Sequence, residues 1–68
     1  MNLVKLKEAR QKKGYTQAYM AEKLGFKTRS SYCLIEKGVS AVSVVVAGKI
    51  AKILDIPKNE IGSVFFDQ

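Results

Sequence analysis

The chain has 68 residues, twelve Lys+Arg against six Asp+Glu, a formal charge of +6, one cysteine and no histidine. That length allows one domain, residues 1–68, near the small end of what folds without staples. A lone Cys33 excludes an intrachain disulfide and, with no histidine, leaves no set of residues for a structural zinc.

Stability must then come from an apolar core, for which 47% hydrophobic residues suffice. The basic excess on so small a chain points to a polyanionic partner, with nucleic acid first. Charges follow Met1-Asn2-Leu3-Val4 at once, and the longest apolar run, residues 41–48, is interrupted by Ser43. A membrane span needs about 20 apolar residues, so the expectation is a cytoplasmic protein with no membrane partner.

Residues 3–13 form the first predicted helix. Leu3, Leu6, Ala9 and Arg10 recur at helical spacing, and lysines and Glu8 take the other faces. Asn2 is its expected N-cap and Gly14 its stop. Tyr15 is expected to fold onto the core. Thr16 then caps a second helix with Gln17 in its first turn, and Gly25 closes it. Ala18, Met20, Ala21 and Leu24 are assigned inward, Tyr19 and Glu22 outward, and Phe26 anchors the following turn.

Thr28 is the expected cap of a third helix ending at Gly38, without the Glu or Gln that a capping box needs at residue 31. Tyr32 and Ile35 face the core, leaving Arg29, Ser30, Cys33, Leu34 and Lys37 outside. Two short helices joined by a glycine-containing turn match the helix-turn-helix motif, which presents the start of its second helix to the DNA major groove.

Ser43 caps a fourth helix over residues 44–54, with Val44, Ala47, Ala51 and Leu54 inward and Ile50 beside them. The β-branched Val42, Val44, Val45 and Val46 would suit a strand, but the cap and the continuing GKIAKIL period favour a helix. Asp55 takes a left-handed stop, Pro57 opens a short fifth helix running to about residue 64, and Phe65-Phe66 form an apolar tail.

Leu6-x-x-x-Arg10, Gly14-Tyr15-Thr16-Gln17, Ala21-x-x-Leu24-Gly25, Ile35-Glu36-Lys37-Gly38 and Ile50-Ala51-Lys52-Ile53-Leu54 together resemble the Cro/CI (XRE-type) helix-turn-helix family. The resemblance spans residues 3–66. It implies an all-α, compact five-helix, lambda-repressor-like domain with the motif on helices two and three. It also implies a transcriptional regulator, generally dimeric, of the phage or mobile-element repressor sort. Three departures stand out. The segment between Gly25 and Glu36 is one residue longer than the commonest family spacing. Val45 and Val46 occupy positions usually polar or charged, and Asp55 replaces a usual glycine.

The resemblance aligns Arg29, Ser30 and Leu34 with residues that approach base edges. Arginine can take guanine O6 and N7 together, worth about 1–3 kcal/mol of discrimination. Ser30 is a promiscuous partner, and Cys33 or Leu34 can meet only a thymine methyl. Gln17 corresponds to a residue that holds the DNA backbone, and Lys27, Thr28, Ser31 and Lys37 are candidate phosphate contacts beside it. The family pairs Arg10 with Glu36 across helices one and three, bracing the recognition helix.

Helix four carries more apolar surface than a core stripe needs. Val42, Val45, Val46, Ile53 and Phe66 are therefore candidates for a protein interface, in a homodimer or with another protein. A protein-interaction module, of antirepressor or antitoxin-like kind, is the alternative function. No paired carboxylates, Gly-rich phosphate loop or histidine support catalysis, and neither a cofactor nor a small-molecule ligand is evident. Cys33 has no histidine to activate it.

Overall fold

A computed structural model describes residues 1–66. Five α-helices follow one another: α1 Leu3–Lys12, α2 Gln17–Lys23, α3 Arg29–Glu36, α4 Val44–Leu54 and α5 Lys58–Ile61. A wider π-helical turn, Gly62–Phe66, continues from α5. No strand occurs among the described residues, so the valine run opens a helix. None of these helices is long and apolar enough to cross a membrane.

Local chemistry sets most of the boundaries. Asn2 Oδ1 accepts from the Lys5 N–H at 3.0 Å, Thr16 Oγ1 from Tyr19 N–H at 3.0 Å, and Ser43 Oγ from Val46 N–H at 3.2 Å. Each bond occupies one of the orphan donors at a helix start. At the other ends Asp55 lies at φ 55°, the left-handed stop expected of it. Gly38 shows why a glycine is needed after α3. Its φ is +78°, and a Cβ there would meet Leu3 Cδ1 at 2.9 Å, so α3 ends directly against the start of α1.

The core draws on every helix but the short α5: Leu6, Met20, Tyr32 and Ile50 are fully buried, with Ala21, Leu24, Ile35, Ala47, Ala51 and Leu54 around them. Val64 and Phe65 close it from the π-helical turn, and Val64 O accepts from Asn2 N–H at 2.7 Å, tying the two ends of the fold together. Small Ala21, Ala47 and Ala51 let helix backbones approach closely where larger residues would hold them apart.

Several inward and outward assignments change. Ala18, assigned inward, is exposed. Tyr19, assigned outward, is half-buried because its ring stacks on Tyr15, centroids 4.3 Å apart. Val44, assigned inward, is 75% exposed. Val46 instead is half-buried and packs against the core. Of the apolar tail, Phe65 is buried and only Phe66 is exposed.

Candidate nucleic-acid interface

The unit formed by α2 and α3 is held by its turn. After Lys23 the chain leaves the helix through Leu24, Gly25 takes φ +78°, and Phe26 N–H returns to Ala21 O at 2.9 Å. The half-buried Phe26 ring packs on the core, which fixes the angle at which residues 27–28 deliver the chain to α3.

Thr28 stands at the N-cap of α3 in extended backbone, but its hydroxyl caps no backbone N–H. It lies 3.5 Å from Ser31 Oγ instead. Arg29 and Ser30 are exposed at the start of this helix. One turn on, Cys33 is half-buried and Leu34 is 39% exposed. Buried Tyr32 and Ile35 occupy the opposite side, so one face of α3 is core and the other is free to meet a partner.

The remaining candidates flank that face. Lys27, Thr28 and Lys37 are exposed and Ser31 is half-buried. Gln17 is half-buried at the first turn of α2, where its Nε2 donates to Glu36 Oε1 at 3.2 Å.

Glu36 is the hub of this arrangement. Arg10 Nε donates to its Oε2 at 2.6 Å and Arg10 Nη2 to its Oε1 at 3.2 Å, a two-point contact between planar groups. Arg10 Nη1 donates to the carbonyl of Tyr15 at 2.8 Å. The side chains are only 10% and 4% exposed. One arginine from α1 thus grips the end of α3 and the turn before α2, and Gln17 ties α2 to the same carboxylate.

The fully buried Tyr32 hydroxyl faces this carboxylate without reaching hydrogen-bond geometry. Burial and the neighbouring carboxylate push its pKa above the ordinary tyrosine range. Burial likewise works to raise the Glu36 carboxyl, but the donors around it, Arg10 first, outweigh burial and hold it below the ordinary value.

A pH dependence follows. Because the folded pKa is depressed, the stability contributed by Glu36 is complete above the ordinary carboxyl value near 4.5 and disappears as pH falls through the lower folded value. Thermal melts from pH 7 down to 2 should show a decline beginning below about pH 4.5 that Glu36→Gln flattens. An identical decline in the variant would assign the acid sensitivity to other carboxylates.

The proposed protein-interface residues are not one uniform surface. Val45 and Phe66 are 67% and 47% exposed, whereas Val42, Val46 and Ile53 are half-buried against the chain's own core. The exposed valines near the start of α4 are Val39, Val44 and Val45. Sequence reasoning also missed the Gln17–Glu36 bond and the Arg10 contact to the Tyr15 carbonyl, for which no residue pattern gives a signal. Among the described residues no cluster of His, Cys, Asp and Glu has the geometry to hold a metal ion.

Compared with known proteins, the chain matches a family model described as helix-turn-helix over residues 6–61. No curated protein gives a match, and no solved structure does.

Proposed function

The chain belongs to the helix-turn-helix family of DNA-binding transcription regulators, and from that premise we propose a sequence-specific repressor that reads the major groove with the start of α3. The observation that carries this reading is the pairing of an exposed recognition turn with a buried brace. Arg29 and Ser30 stand free at the start of a helix whose far end is fastened to α1 and α2 through Glu36. A reading head must be free to touch bases yet fixed in angle, because a displaced helix loses the register set by its phosphate contacts.

In this reading Arg29 takes a guanine edge, Ser30 pairs beside it, and Leu34, with Cys33 at its flank, covers a thymine methyl. Gln17, Lys27, Thr28, Ser31 and Lys37 hold phosphates. The protein binds as a homodimer through the apolar surface of α4 and the tail, with Val45 and Phe66 its exposed members, so that two reading helices reach half-sites about 10 base pairs apart. Repression is steric, through occupation of the operator.

The test is selection of duplexes from a random pool, followed by titration of the best site with wild type and Arg29→Ala. A two-fold symmetric site should emerge. The variant should lose about 1–3 kcal/mol and its preference at one base pair of each half-site. Enrichment no better than random would defeat the proposal. It would favour the second reading, a protein-interaction module of antirepressor or antitoxin-like kind, which draws support from exposed Val39, Val44 and Val45.

A further inference from the structure

A groove of about 440 Å³ lies between α2 and α4, lined by Tyr15, Tyr19, Lys23, Lys49, Lys52 and Ile53. None of these residues is on α3, and none has a part in the DNA contacts proposed above. Two features of its lining are chemically specific.

The first is aromatic. The Tyr15 and Tyr19 rings lie 4.3 Å apart at an interplanar angle of 34°, both half-buried, and Ile53 packs against the same core. The two rings stack on each other, so the groove is offered one aromatic face, the side of Tyr19 turned away from Tyr15, and packing fixes its orientation. The second is cationic. Lys23 Nζ lies 5.5 Å from the centre of the Tyr19 ring, and exposed Lys49 and Lys52 stand across from it on α4. No carboxylate lines the groove. The ion pairs among the described residues, Arg10–Glu36 and Lys13–Asp55, leave these three lysines uncompensated. Three lysines along one groove raise its potential and favour an anion bearing more than one charge.

We infer that this groove binds a nucleotide, its base stacked on the outer face of Tyr19 in place of the Lys23 ammonium and its phosphates held by Lys23, Lys49 and Lys52. A free polyphosphate satisfies only the lysines and an uncharged nucleoside only the Tyr19 face. A nucleotide satisfies both. The site also adjoins the brace of the reading head, because the Tyr15 carbonyl is the acceptor for Arg10 Nη1. Ligand seated on Tyr19 therefore bears on the ring stacked behind it, that of Tyr15, in the turn that positions α2.

Isotope-labelled protein titrated with ADP, adenosine and pyrophosphate tests this by amide shifts. ADP should move residues 15–23 and 49–53 and bind about fivefold or more tighter than pyrophosphate, the lower bound for one base stacked on an aromatic ring. Tyr19→Leu should reduce ADP to the pyrophosphate level. Lys49→Ala with Lys52→Ala, two exposed positions outside the core, should abolish saturation for both, and Arg29→Ala should leave ADP binding unchanged. Equal affinity for pyrophosphate and ADP would overturn the stacking assignment. Shifts centred on residues 28–37 and lost in Arg29→Ala would show a nucleotide imitating the DNA backbone at α3 and overturn the site. So would absence of saturation at millimolar ADP.

Discussion

Glu36→Ala is expected to cost about 3 kcal/mol of folding stability, at the lower end of the range for breaking a buried ion pair. The loss comes from what remains. Arg10 is 8% exposed as a residue and keeps only its Nη1 contact to the Tyr15 carbonyl, so Nε and Nη2 stay desolvated without an acceptor. The Gln17 amide loses its acceptor at the same time. The lower end applies because in so small a domain water stands within a side chain's length of the pair. Whole domains of this size have about 3–10 kcal/mol in hand, so the variant should be close to unfolding at room temperature. Urea denaturation followed by circular dichroism measures the loss. A second variant, Arg10→Met with Glu36→Leu, removes both charges and should recover most of it. Two apolar chains of similar volume leave no buried charge unpaired, only the neutral Gln17 amide and Tyr15 carbonyl without these partners. A loss below about 1 kcal/mol for Glu36→Ala alone would put the pair with solvent-exposed salt bridges and remove the brace from the argument.

The double variant also separates stability from function. If the brace serves to aim α3, a refolded Arg10→Met/Glu36→Leu protein should keep its helices and still bind DNA less specifically than wild type.

What could be read from residues alone follows the range of the interactions involved. The caps at Asn2, Thr16 and Ser43 and the left-handed stop at Asp55 involve bonds three or four residues long, and the residue types carry that chemistry with them. Burial of Tyr32 and Ile35 follows from the helical period, because both lie at the centre of their stripe. Val44 and Val46 lie on opposite shoulders of the stripe formed by Ala47, Ile50, Ala51 and Leu54. Which shoulder packs on the core, Val46 and not Val44, is a tertiary fact that the period does not contain. Tyr19 went astray for another reason. A long side chain on a helix leans toward the preceding turn, so it meets Tyr15 four residues back, although its Cα faces outward. Of the DNA-facing set, the exposure of Arg29 and Ser30 was legible, whereas the engagement of Gln17 with Glu36 was not, because it joins residues nineteen apart.

The second large effect is on salt. Of the proposed backbone contacts only Lys27 and Lys37 carry charge, since Gln17, Thr28 and Ser31 are neutral and release no counterions on meeting a phosphate. Both lysines are exposed, and neither belongs to an ion pair among the described residues, so each is free to displace a counterion from DNA. Two such contacts per protomer are four in a dimer. The slope of log K against log salt should then be about −3.6, which lowers affinity about 150-fold between 50 and 200 mM salt. A monomer on a single half-site would show about half that slope and lose only about 12-fold over the same interval. The titration therefore counts protomers on the DNA as well as testing the phosphate contacts. Lys27→Ala should weaken every duplex to a similar degree and flatten the slope by about 2 for the dimer, whereas Arg29→Ala should change which duplex is preferred and leave the slope near its wild-type value. If the two variants exchanged these effects, the turn before α3 would be the base reader and the start of α3 the anchor, a shift that the extra residue between Gly25 and Glu36 would make intelligible.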